Sequence, residues 1–249
     1  MKRKRILLAG HLQQAFGSVP YPFYEVVRTN RKFNFRKQKF VSSISGSQYN
    51  PEKFSEYPAF WSSFPLRKNI ECFGLFHYRC ILNLSPNHDV DSVESMNRRW
   101  QVLAVQSAFL KQYRDILAVS KPLDFTLMDM SNWDQLIFCF PDIEFDLLKM
   151  CKIFDSITGL SSEAKLKQTA KLHARNIFVG PVDFANSWNR VSFGVLQGLK
   201  ESKFESNCDR PGGYVLERLF SVFVENWKLT HEVVERPYIW FDQSDSSTS

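Results

Sequence analysis

Short apolar runs alternate with stretches in which apolar residues recur every three or four positions, and this alternation constrains the fold more than any other property of the chain. The short runs are Ile6 to Ala9, Phe40 to Ile44, Phe73 to Phe76, Phe125 to Met128, Ile177 to Val179 and Val233 to Trp240. Each has strand length, and the first ends at Gly10-His11 before a loop carrying Gly17, Pro20 and Pro22. The clearest helical pattern starts near Asp91, whose spacing to Glu94 fits a capping box, and sets Met96, Trp100, Leu103, Leu110, Tyr113 and Leu117 largely along one side. A second helix is predicted from Asp142 to Ile157. A third follows Pro181, with Phe184, Trp188, Val191, Val195 and Leu199 at helical spacing. A fourth follows Gly212-Gly213, with Leu216, Leu219, Phe220, Phe223 and Trp227. Strands alternating with helices predict an α/β fold with a mainly parallel central sheet and flanking helices.

At 249 residues, 44% of them hydrophobic, the chain is large enough to bury a substantial core as one domain. That domain is predicted over 1–242, in two halves, 1–120 and 121–242. The last residues, 243–249, are all polar and read as a disordered tail. The polar stretch from Ser202 to Asn207 is a candidate mobile loop. No window approaches the roughly 18 uninterrupted apolar residues of a membrane helix, and the run after Met1-Lys2-Arg3-Lys4-Arg5 is too short for a signal peptide, so a cytoplasmic location is expected. The five cysteines, Cys72, Cys80, Cys139, Cys151 and Cys208, are scattered without a C-x-x-C pair, which points to reduced thiols rather than zinc or a redox couple.

The formal charge of +6 raises nucleic acid and anionic membranes as partners. The excess is concentrated in Lys2 to Arg5 and in Arg28, Arg31, Lys32, Arg36, Lys37 and Lys39. No RNP, KH, zinc-finger or helix-turn-helix signature accompanies it, so nucleic acid is disfavoured, and peripheral contact with the inner leaflet stays open at ~1 kcal/mol per basic residue. Phosphate loops of the G-x-x-x-x-G-K-S type, G-x-G-x-x-G and G-x-S-x-G are absent, which removes the usual support for kinase, dehydrogenase and lipase chemistry.

The most distinctive string is Phe73-Gly74-Leu75-Phe76-His77-Tyr78-Arg79, an apolar strand that ends in three hydrogen-bonding side chains. It resembles the hallmark Gly-Leu-x-His-Tyr-Arg-Arg of the bacterial capsular and exopolysaccharide glycosyltransferases catalogued as domain of unknown function 4422. Asn50-Pro51, Ser55-Glu56, Ala59 and Trp61 fit a second family pattern, and Asn176-Ile177-Phe178 with Phe184 a third. Arg210, Gly213, Tyr214, Glu217, Arg218 and Leu219 fit a fourth. The sequence departs from the family at Cys80, which stands where the second Arg belongs.

The resemblance implies a GT-A-like fold and transfer of a sugar from a nucleotide-sugar donor, such as a UDP-hexose, to a lipid-linked saccharide acceptor. The amino-terminal half would bind the donor through His11, Glu56, Trp61, His77, Tyr78 and Arg79. The carboxyl-terminal half would hold the acceptor through Asn176, Arg210, Gly213 and Arg218, with Glu217 as the base of an inverting reaction. A catalytically silent glycan- or nucleotide-binding scaffold is the alternative. Asp89-Val90-Asp91 has the Asp-x-Asp form that holds Mg²⁺ or Mn²⁺ in many GT-A enzymes, but a helix cap explains Asp91 as well. His77 and Arg79 could replace the metal as cations at the donor diphosphate, so metal-independent catalysis is expected. Glu217, Ser221 and Glu225 recur every four residues opposite the apolar face, so Glu217 could equally belong to a solvated stripe. Trp61 is either a donor contact or part of the core.

Overall fold

In the computed structural model the described residues are 3–10, 24–28, 57–62, 64, 66, 70–77, 80–85, 92–93, 102, 105–106, 108–199 and 204–241. In chain order they form β1 (Arg3–Gly10), β2 (Tyr24–Arg28), α1 (Tyr57–Ser62), β3 (Ile70–His77), β4 (Cys80–Leu82), β5 (Ser92–Val93), β6 (Leu117–Ser120) and β7 (Leu123–Asp124). There follow α2 (Asn132–Cys139), α3 (Glu144–Thr158), α4 (Ser162–Gln168), β8 (Lys171–Leu172), β9 (Phe178–Pro181), α5 (Val182–Gly198), α6 (Pro211–Trp227), β10 (Val233–Arg236) and β11 (Tyr238–Phe241).

Among the described residues nine strands form one sheet, with the path β10-β6-β9-β3-β4-β11-β5 and β1 joining β3 to β2. The sheet is mixed. β1 runs parallel to β2 and β3, β10 to β6, and β11 to β5, whereas β9 is antiparallel to β3 and β6, and β4 to β3 and β11. Strands from both halves of the chain interleave in it.

The central strands are buried on both faces, and the two-residue period of a strand decides which side chain goes where. Phe73, Leu75, Leu117, Val119 and Phe178 enter one cluster, which α1 to α6 complete. Their neighbours Cys72, Phe76, Ala118, Ile177 and Val179 enter a second cluster with Tyr113 and Ile239. The first is dense in aromatic rings: Trp188 lies 5.4 Å from Phe220 and 5.3 Å from Phe223, between α5 and α6. α3 and α5 approach closely because α5 carries glycines there; a Cβ on Gly198 would sit 2.7 Å from Ile153 Cγ2.

The predicted helices at Asp142, Pro181 and Gly212-Gly213 are α3, α5 and α6. The strand predicted at Phe125 to Met128 is instead a 3-10 turn at Thr126–Met128. Asp124 drives it, accepting from the backbone N–H of Thr126 at 2.9 Å and from its hydroxyl at 2.5 Å. The helix predicted from Asp91 does not start there. Ser92 and Val93 form a strand paired with Trp240 and Phe241, the described residues between 102 and 113 are helical, and Leu117 opens β6. A helix-period pattern cannot register a strand partner some 150 positions away. Phe40 to Ile44, the loop with Gly17, Pro20 and Pro22, and Asp91 itself lie outside the described residues.

Of the predicted mobile loop, 204–207 is pinned. Buried Asp146 accepts from the backbone N–H groups of Glu205 and Ser206, both at 3.0 Å, and from the Ser206 hydroxyl at 2.6 Å, while Asp142 accepts from Asn207.

Candidate functional site at the carboxyl edge of the sheet

Register brings several strand ends to one edge. Ala9 pairs with His77 and Gly10 with Arg28, so β1, β2 and β3 finish together. β9 runs antiparallel to β3, with Leu75 opposite Phe178, so the residues just before β9 continue past the end of β3. β11 ends beside the start of β4, with Trp240 opposite Cys80. Ligands of α/β sheets gather outside such an edge.

The turn Ala174–Asn176 enters this edge with Arg175 at φ 68° and Asn176 at φ 54°, two successive non-glycine residues in the left-handed region. Each such residue costs about 1 kcal/mol or more, so surrounding contacts must impose the shape. Glu217 on α6 accepts the Arg175 backbone N–H, and Asn176 Oδ1 accepts from the Tyr57 hydroxyl of α1 at 2.8 Å. The Arg175 guanidinium lies 3.8 Å over the Trp240 ring and 5.5 Å from the Tyr238 ring, and its Nη1 donates to the Cys80 thiol at 3.3 Å.

Glu217 is clasped from a second side. Its other oxygen accepts from Arg218 Nη1 at 2.9 Å, and Arg218 also donates to the Tyr214 carbonyl at 3.3 Å and to Gln135 on α2. Burial lowers the Arg218 pKa, and the Glu217 carboxylate works against that shift. Arg218 Nε finds no acceptor among the described residues.

Glu217 and Ser221 of the stripe therefore face protein, packing α6 on the segment 171–176, while Glu225 at its end is half exposed. Buried His173 donates its backbone N–H to Ser221 Oγ at 2.9 Å. Its Nδ1 meets the Ser120 carbonyl at 2.8 Å and its Nε2 the Glu225 carboxylate at 3.1 Å. The bond from His173, reinforced by Lys228, lowers the Glu225 pKa from 4.5 to about 2.

The structure brings Glu217 to the turn that carries Asn176, with the backbone of His77 at the same edge. Arg218 is 4% exposed and committed to Glu217, Gln135 and Tyr214, which makes it a positioning group rather than an acceptor contact. Trp61 is 3% exposed and donates to Ser192 Oγ at 3.0 Å, so it lies in the core. Arg210 precedes the first turn of α6, and Gly213 is buried within that turn. His11, Glu56, Tyr78, Arg79, Asp89 and Asp91 lie outside the described residues, as does the side chain of His77. Sequence reasoning missed Arg175, Tyr57 and Gln135. Arg175 adjoins the Asn176 block and Tyr57 adjoins Glu56, but nothing in the sequence marks a left-handed turn at non-glycine residues. Among the described residues no group of three His, Cys, Asp or Glu converges, and the carboxylate at this edge already meets two donors.

The fold is shared with a known class. The chain is similar over 97% of its length, at TM-score 0.74 and 14% identity, to a solved chain described as the bifunctional glycosyltransferase WbbM in its apo form. It spans 46% of that chain, and at this identity the likeness establishes an α/β architecture of that type. Residues 25–228 match the family described as Domain of unknown function (DUF4422), and the chain belongs to that family. No curated protein matches it significantly. No helix among the described residues is long and apolar enough to cross a membrane.

Proposed function

We propose that the chain is a glycosyltransferase domain that moves a hexose from a nucleoside-diphosphate sugar, such as a UDP-hexose, to a lipid-linked saccharide during synthesis of a capsule, exopolysaccharide or lipopolysaccharide. The observation that carries this reading is the carboxylate of Glu217, held at the carboxyl edge of a fold shared with a glycosyltransferase. In the proposed reaction the acceptor hydroxyl oxygen attacks the anomeric carbon, the bond from that carbon to the diphosphate oxygen breaks, and its electron pair leaves with the diphosphate. The hydroxyl proton passes to Glu217, and the configuration inverts. A carboxylate offers about four lone-pair sites; the Arg175 N–H and Arg218 take two, which leaves room for the acceptor hydroxyl.

In this reading His11, Glu56, His77, Tyr78 and Arg79 serve the donor, Asn176, Arg210 and Gly213 the acceptor, and Arg218 holds Glu217 in place. No step runs through a metal. Work at the inner face of the membrane, aided by the basic residues between Arg28 and Lys39, belongs to the same proposal.

The test compares Glu217→Gln with the wild type in sugar transfer and donor binding. Transfer should fall at least ~100-fold while donor affinity stays within a few-fold. Equal loss of both would remove Glu217 from the base role. A second reading, a non-catalytic glycan- or nucleotide-binding scaffold, draws on the engagement of both Glu217 oxygens by protein donors. It predicts binding of a donor with no release of free nucleotide.

A further inference from the structure

Arg175 is the most unusual residue at the edge that the expected site leaves out. Its backbone is left-handed, and so is that of the next residue. Glu217 holds its backbone N–H, and its side chain lies over Trp240 against Cys80. Among the described residues no carboxylate comes within ion-pair distance of the guanidinium, and the one side-chain acceptor it reaches is a thiol, a weak one. The group is half-buried, so its charge is neither neutralised by a described residue nor fully given to water.

A stacking contact alone does not require two left-handed residues, since a long Arg side chain can reach an aromatic face from ordinary backbone. Backbone held in this region clusters at sites that bind or react. A guanidinium lying over a ring keeps its N–H groups in its own plane, free to meet two oxygens of an anion. The turn that carries it stands where β1 and β3 end, the place at which an α/β sheet receives its ligand.

We infer that Arg175 is a phosphate-binding residue whose guanidinium takes the diphosphate of the nucleotide donor. The inference rests on the glycosyltransferase reading and adds to it a residue and a ligand moiety. Trp240 fixes the plane of the guanidinium, and the Glu217 contact to the Arg175 backbone couples the base to the anion site. Arg175 thus helps carry the charge that develops as the diphosphate leaves.

The experiment is calorimetric titration of the wild type, Arg175→Met and Arg175→Lys with UDP, GDP, CDP and dTDP, with the parent nucleosides, and with inorganic pyrophosphate. The wild type should bind one nucleoside diphosphate. Arg175→Met should weaken that affinity about 10-fold to 100-fold and leave nucleoside binding unchanged. Arg175→Lys, which keeps the charge and loses the fork, should fall between them. The wild-type affinity should also drop more steeply with salt than that of Arg175→Met. Folded Arg175→Met with wild-type diphosphate affinity, or with equal loss toward nucleoside and diphosphate, overturns the assignment. If Arg175→Met does not fold, Arg175→Lys decides on the same criterion. A wild type that binds pyrophosphate and every nucleoside diphosphate no better than buffer overturns the glycosyltransferase reading itself, whereas binding that the variants do not alter overturns the Arg175 assignment alone.

Discussion

Replacing Glu217 should destabilise the protein by an amount that its neighbours set. In Glu217→Ala the Arg218 guanidinium, with 5% of its side chain exposed, loses its carboxylate, and the Arg175 N–H loses the acceptor that supports a left-handed backbone. Breaking a buried pair in this way costs about 3–5 kcal/mol. Arg218 keeps Gln135 and the Tyr214 carbonyl, which favours the lower end, about 3 kcal/mol. Glu217→Gln keeps the shape and one acceptor oxygen but turns an NH₂ toward a donor, a loss of about 2 kcal/mol. Urea denaturation reads both values from the shift in midpoint at unchanged slope. The double variant Glu217→Ala/Arg218→Met should recover part of the loss, because it removes the stranded charge. A Glu217→Ala cost below ~1 kcal/mol, or a double variant less stable than additivity predicts, would refute the clasp. The magnitudes also matter for activity. A domain stable by about 5–15 kcal/mol stays folded after losing 2, so lost turnover in Glu217→Gln would not be unfolding in disguise.

Gly198→Ala should destabilise by about 1–3 kcal/mol, because its Cβ meets the branched Ile153 at 2.7 Å. Gly194→Ala should be nearly neutral, since its Cβ meets the movable Ile157 Cδ1 at 2.8 Å and the helix gains about 1 kcal/mol of propensity; thermal melts of the pair test the order. Asp146→Ala strands three donors of 205–206, so hydrogen exchange in 204–207 should rise well before global unfolding. The Glu225 pKa is lowered in the fold, so its contribution is present above pH 4.5 and is lost as pH falls toward about 2. Glu225→Gln should flatten the acid limb of the stability profile in that window, by a modest amount because the carboxylate is half exposed.

Much of this architecture is legible in the sequence. Apolar runs at Phe73 and Ile177 gave buried strands, and the stripes of α5 and α6 gave helices, because in both cases period and burial agree. The reading failed where a distant partner decided the local shape. Ser92 and Val93 became a strand through Trp240 and Phe241, and Asp124 turned an apolar run into a 3-10 turn. Two of the family blocks do come together, since Glu217 holds the backbone of the turn that carries Asn176. Their surroundings were less legible: Arg218 reads as an acceptor contact in one dimension and is buried in three, and Trp61, for which the sequence leaves donor contact and core both open, is buried. Arg175 carried no sequence signal, because its conformation is imposed by Glu217 some forty residues later.

The central claim is tested most directly by the release of free nucleotide from a panel of UDP-, GDP-, CMP- and dTDP-sugars, followed over hours with the wild type and with Glu217→Gln. The account predicts slow release from one donor class, acceleration when a saccharide acceptor is supplied, and loss of that acceleration in Glu217→Gln. A wild type that neither binds nor hydrolyses any donor, or a Glu217→Gln variant that transfers at the wild-type rate, contradicts it.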